Sequence, residues 1–278
     1  MERKKTILLI SIIFLASFSG ILIINYHLNK SDGPIRIRGN DELEAMLHET
    51  GSGNATNPYI LEDYKIFPEN KQQYMNYGIA LINIDAYLII RNCYIENAQD
   101  AIFMNDCSNI QIINCYFKNN GKGINLYDSN HNISVSRNNF EDNIWGIRSW
   151  NSQNTTYSNN ILNNNTSDAF LFYNSSDFTL SGNQMTSTGI HFWDSGDFIN
   201  PQSINIDSTN LINGKPILYL NDKTNIDGNY FSNASQVILI NCSYTNITNL
   251  HFSDGSNAIT LLYCNNIYIE DIFCTKFK

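Results

Sequence analysis

The chain has 278 residues, enough for one large domain or two small ones, and only 15 % of them are charged against 42 % hydrophobic. Asparagine accounts for 44 positions, too many for helix surfaces because its side chain competes with the helical backbone for hydrogen bonds. A net charge of −9 argues against nucleic acid, whose phosphates call for a broad basic face, so none is expected as a partner.

In chain order, Met1-Glu2-Arg3-Lys4-Lys5 precedes an uncharged, mostly apolar stretch from Thr6 to Tyr26. A basic start before an apolar run is an export signal, and 21 residues just suffice to cross a bilayer as a helix. Residues 1–30 therefore read as a signal anchor or a cleaved signal peptide. Everything after Lys30 is expected outside the cytoplasm, extracellular or periplasmic, with the membrane as a partner of the N-terminal segment. Residues 31–57, helix-compatible over Asp41–Glu49, are expected to form a cap or linker.

Residues 58–278 carry a repeat. Leu88-Ile89-Ile90, Asn109-Ile110-Gln111-Ile112 and Ile133-Ser134-Val135 open equivalent units. The apolar residue seven places after each opening is Ile95, Phe117, Phe140, Leu162, Met185, Leu211, Phe252 and Cys274, at steps of 22, 23, 22, 23, 26, 41 and 22. Apolar residues at alternate positions mark strands with one buried face, and units this small must stack to bury it. Short strands joined by Asn, Ser and Gly turns, with no intervening helix, predict an all-β fold, a right-handed parallel β-helix of about 22–23 residues per coil. His191–Gln202 lengthens one turn, and Asn221–Ser243 is an added strand pair or a lengthened coil.

Two stretches carry a family resemblance. Asn57-Pro58-Tyr59-Ile60-Leu61-Glu62-Asp63-Tyr64 resembles the entry sequence of surface β-helix proteins. Asn213-Gly214-Lys215-Pro216-Ile217-Leu218-Tyr219-Leu220, followed by Gln236-Val237-Ile238-Leu239-Ile240-Asn241-Cys242, resembles the NosD-like β-helix domain of periplasmic copper-binding proteins. The resemblance spans about residues 58–274 and implies the fold. It implies copper handling only as an alternative role, because no motif here matches a copper site and His27, His48, His131, His191 and His251 are scattered. No cofactor is expected.

Stacking turns each in-register position into a ladder. Four residues after the Gly or Ala that opens the second strand stand Tyr127, Trp150, Tyr173 and Trp193, which alternation directs outward. The next position holds Asn83, Asp106, Asp128, Asn151, Asn174 and Asp194, and Arg148 and His191 project from the same face. Aromatic rings beside carboxylates, amides and an arginine suit sugar rings, and the bland reading is sheet reinforcement with Asn and Asp closing turns. The expected function is a non-catalytic face that binds a polysaccharide or a cell-envelope protein. A lyase or hydrolase of the pectin-lyase-like type, built on Asp106 and Asp128, is the catalytic alternative.

Three further ladders are expected. Glu96, Lys118 and Glu141 form an outward charge ladder. Asn92 and Asn114 form an inward amide ladder that Arg137 interrupts. Cys93 with Cys115, and Cys242 with Cys264, are each 22 apart, which places each pair within disulfide reach or makes them apolar filler.

Overall fold

The computed structural model describes residues 33–68, 75–193, 203–253, 255 and 257–276. The apolar segment Thr6–Tyr26 and Asp194 lie outside them. Among the described residues no helix is long and apolar enough to cross a membrane.

The repeat becomes a right-handed β-helix with three faces. The front face stacks Ile35–Arg38, Tyr77–Ile84, the first half of Asp100–Ile113, Lys122–Tyr127, Trp145–Trp150, Asp168–Tyr173 and Ile190–Trp193. The rear face stacks Tyr59–Glu62, Leu88–Arg91, the second half of Asp100–Ile113, His131–Ser136, Gln153–Ser158, Ser176–Ser181 and Ile204–Ile206. Because Asp100–Ile113 runs unbroken round one corner, it joins both into a 13-stranded sheet. Short strands from Lys65–Ile66 to Leu211–Ile212 make the side face.

The core column of the side face is Ile66, Ile95, Phe117, Phe140, Leu162, Met185 and Ile212. Ile212, not Leu211, continues it. The turn closed by the Asn210 N–H on the Asp207 carbonyl sits in a lengthened coil and shifts the register by one, leaving Leu211 half-buried. Beyond Ile212 the stack also changes direction. Asn213 and Gly214, both left-handed at φ 50° and 79°, make a tight reversal, and Lys215–Asn221 pairs antiparallel to Leu211–Ile212. Asn221–Ser243 contains a lengthened connection with a 3-10 turn at Gly228–Phe231, after which Gln236–Ile240 pairs parallel to Lys215–Asn221. Phe252 and Cys274 pair in a separate two-stranded sheet, Ser243–Ser253 with Asn265–Thr275, where Phe252 is buried and Cys274 exposed.

Asparagine does two jobs at the corners. The first residue of each corner turns the chain with φ > 0, as at Asn92, Asn114, Arg137 and Asn159 (φ 55°, 55°, 56°, 54°), and these four side chains are exposed. Asn and Asp reach this region more cheaply than other non-glycine residues. Asn92 and Asn114 are therefore outward, and the inward ladder is one residue further on: Cys93, Cys115, Asn138, Asn160, Asn183 and Asn210, all buried. Asn160 is representative. Its Nδ2 donates to the Val135 carbonyl at 2.9 Å and to Asn183 Oδ1 at 3.0 Å, while its Oδ1 accepts the Asn138 N–H at 3.0 Å. Asn120, Asn143 and Asn165 build a second ladder at the next corner. Buried turns thus satisfy their backbone polar groups with side chains, as a water-free interior requires.

The cysteines explain themselves from this column. All six are free thiols in the structure. Cys93 Sγ donates to the Arg91 carbonyl and Cys242 Sγ to the Ile240 carbonyl, so the thiols occupy ladder rungs as small donors. Cys264 Sγ likewise donates to the Leu239 carbonyl.

An N-terminal strand, Ile35–Arg38, adds to the front face, and the helix Gly39–Leu47 packs Leu43 and Leu47 inward. Its first turn is closed by Glu42, whose Oε2 accepts the Arg38 N–H at 2.7 Å.

Candidate functional site

The front face presents three outward columns. One reads Arg38, Ile82, Asn105, Tyr127, Trp150, Tyr173, Trp193; the second reads Arg36, Ala80, Phe103, Asn125, Arg148, Leu171, His191. The third, preceding the small residue that opens each strand, reads Tyr77, Asp100, Lys122, Trp145, Asp168. The small residue is obligatory: a Cβ on Gly123 would lie 2.6 Å from the Gly146 carbonyl oxygen and 2.4 Å from the Phe140 ring.

Tyr127, Trp150, Tyr173 and Trp193 stand in register in consecutive coils. Ring centroids are separated by 5.8, 4.2 and 6.3 Å. The middle rings are partly spent on each other, and Arg148 lies 4.5 Å over Trp150. Trp193 turns 88° from Tyr173 and is 56 % exposed; Tyr127, at the other end, is 41 % exposed. The ladder thus offers open rings at its ends and packed ones between. Burial pulls the Arg148 guanidinium below its ordinary value, opposed by nearby Asp100.

Beside the aromatics lies an ionic group that the Tyr/Trp count overlooked. Asp100 is only 2 % exposed although it points outward, and its two oxygens take Lys122 Nζ at 2.6 Å and Asn125 Nδ2 at 2.7 Å. Among the described residues the buried Asn125 Oδ1 finds no hydrogen-bond partner. Asp168 accepts from Ser167 Oγ at 3.1 Å and faces His191 Nδ1 at 3.4 Å. The available signal was the residue just before each strand-opening Gly or Ala, a column that alternates acid, base and aromatic.

Asp106 and Asp128 occupy left-handed corners (φ 53° and 58°) at the edge of this face. The Asp106 N–H donates to the Asp128 carbonyl at 3.0 Å, Asn151 Nδ2 to Asp128 Oδ1 at 3.2 Å, and Asn174 Nδ2 to Asn151 Oδ1 at 2.8 Å. They close turns and run an outer amide ladder. On the side face Glu96, Lys118 and Glu141 are in register, with Lys118 Nζ 3.4 Å from Glu141 and Tyr116 donating to Glu141. Burial, then the like charges of Asp142 and Glu96, raise the Glu141 carboxyl.

Among the described residues no group of three His, Cys, Asp or Glu converges as metal ligands. At the N-terminal end of the front face is a groove of about 560 Å³, floored by Ala80 and Ile82 and walled by Arg36, Arg38, Phe103 and Tyr127.

Coil, corner ladders and outward aromatic column define the class: a parallel β-solenoid with a decorated front face. The chain belongs to the right-handed β-helix family, whose model, described as the right handed beta helix region, matches residues 59–205. The model of the periplasmic copper-binding protein NosD matches residues 146–271. No curated protein matches the chain. Solved structures of similar chain path include PfbA, a surface adhesin of Streptococcus pneumoniae, at 11 % identity and TM-score 0.47, covering 77 % of this chain and 69 % of that one. Another is the alginate lyase from Paenibacillus sp., at 12 % identity and TM-score 0.41, covering 87 % of this chain and 99 % of that one. The catalytic unit of a GH87 α-1,3-glucanase from Streptomyces thermodiastaticus is similar at 11 % identity and TM-score 0.48, covering 82 % of this chain and 50 % of that one. The chain spans half the length of that glucanase unit.

Proposed function

We propose that this protein is an extracytoplasmic, non-catalytic β-helix that binds a polysaccharide along its front face. The observation that carries the reading is the register of Tyr127, Trp150, Tyr173 and Trp193 in four consecutive coils, with open rings at both ends. Coils repeat every 4.8 Å or so, close to the length of one sugar unit, so a glycan lying along the rod meets an equivalent surface at each step. Flat rings offer sugars an apolar surface, and Arg148, His191, Asp106 and Asp128 supply polar groups for hydroxyls beside them. The basic–apolar start of the chain and the match to a periplasmic family's model support export. An N-terminal membrane anchor is part of the same proposal.

The test is a glycan array probed with the full chain and with its Trp193→Ala variant. Trp193 is the most exposed rung, and among the described residues its ring contact is an edge-on one with Tyr173, so the variant keeps its fold. Binding by the parent that falls at least tenfold in the variant supports the reading. Absence of glycan binding by the parent overturns it and leaves the ladder as reinforcement of the sheet.

A further inference from the structure

The aromatic column does not run off the end of the solenoid. Below Tyr127 it passes through Asn105 and Ile82, both smaller than the rings above, and ends at Arg38. Its neighbour passes through Phe103 and Ala80 and ends at Arg36. Small floor residues between tall walls make the groove, and the strand Ile35–Arg38 with Glu42 closes it at the far side.

Its electrostatics oppose those of the chain. In a protein of net charge −9, the groove is lined by two arginines and one glutamate. Glu42 is already engaged by the Arg38 N–H. Arg36 lies 5.4 Å over the Tyr77 ring and donates one Nη2 bond to the Met75 carbonyl at 2.9 Å, which holds its fork in place. Among the described residues neither guanidinium has a carboxylate within ion-pair distance. Tyr77 and Phe103 stack at 4.6 Å and 6° beside them. Two donor forks next to flat rings match a ring that carries an anionic group, because guanidinium meets carboxylate, sulfate or phosphate oxygens with paired N–H bonds.

We infer that the groove is the end-stop of the glycan platform and takes a negatively charged terminal sugar, its anionic group held by Arg36 and Arg38. This rests on the glycan reading above and sharpens it from a neutral surface into one that selects a chain end. The distance from the groove to Trp193 is six coil steps, roughly 30 Å, so a short oligosaccharide reaches both.

The test uses the full chain and sets of oligosaccharides identical except for one terminal unit, which is neutral, a uronate or sulfated, placed at either end. The expected result is about tenfold or more tighter binding of a charged-ended member, a preference that shrinks as salt rises. The Arg36→Gln/Arg38→Gln variant then binds charged and neutral members alike. Glu42→Gln, which keeps an acceptor for the Arg38 N–H, widens the preference. Equal affinity for charged and neutral ends in the parent, or a preference that survives in the double arginine variant, overturns the end-stop while leaving the platform intact. If no member binds the parent, the glycan reading itself falls.

Discussion

The backbone N–H of Cys115 donates to Oδ1 of Asn138 at 2.8 Å, so a thiol and an amide occupy successive rungs of one buried ladder. Asn138 Nδ2 returns to the Ile112 carbonyl at 2.9 Å, and Cys115 Sγ reaches the equivalent Ile90 carbonyl at 3.9 Å, a longer and weaker contact. The rung requires a small side chain that serves the backbone of the coil on either side. Amide does this better than thiol, and six coils share the requirement.

Asn160→Ala therefore strips one corner of a donor and an acceptor inside the core. The Val135 carbonyl and the Asn138 and Asn183 amides lose partners where no water replaces them. At about 1–3 kcal/mol per orphaned buried group, the three together put the loss at about 3 kcal/mol or more. Cys115→Asn, in contrast, extends the ladder and holds stability within about 1 kcal/mol of the parent. Urea unfolding of both variants beside the parent decides it; an Asn160→Ala midpoint equal to the parent's contradicts the ladder's role.

Thiol chemistry reports the same packing. Cys93, Cys107, Cys115 and Cys242 are buried and Cys274 is exposed. Burial pushes the Cys107 thiol up to about 11, and its contact with Cys93 followed by burial raises Cys115. In the native state only Cys274 is expected to react rapidly with a thiol reagent, with Cys264 slower, and all six after denaturation. For Cys107 the folded value lies above the unfolded one, so its contribution is full below about pH 9 and is lost as pH rises towards 11. The unfolding midpoint falls across that window in the parent and falls less in Cys107→Ala.

The Asp100–Lys122 pair is nearly dry, with side-chain exposures of 2 % and 14 %. Lys122→Ala leaves a buried carboxylate with Asn125 alone and costs about 3–5 kcal/mol. Replacing both, as Asp100→Leu/Lys122→Met, strands no charge and costs only about 1–3 kcal/mol, the penalty of leaving the buried Asn125 Nδ2 without its acceptor. A double variant as unstable as the single one argues that the charges have a further role on this face.

At the strand openings, Gly123→Val forces a side chain into the Phe140 ring and the Gly146 carbonyl. Overpacking of this kind costs about 1–3 kcal/mol. Since the front and side faces meet here, hydrogen exchange in the variant is expected to rise first in Lys122–Tyr127 and Asn139–Glu141; unchanged protection there counts against the close contact.

The sequence by itself determined the coil. A step of 22 or 23 and strict alternation leave only a stacked solution, and they set Tyr127, Trp150, Tyr173 and Trp193 in one outward column, because in-register stacking converts sequence period directly into neighbourhood. Tertiary structure decided what the period leaves open by one residue or by one strand. Asn92 and Cys93 are adjacent in sequence, yet the left-handed turn at Asn92 sends its side chain to solvent and gives the interior rung to Cys93. Arg36 and Arg38 join the front face only because Ile35–Arg38 pairs with Tyr77–Ile84, strands about forty residues apart that share no repeat. The reversal at Asn213-Gly214 likewise escapes a count of apolar positions, since strands running in opposite directions bury the same alternate residues.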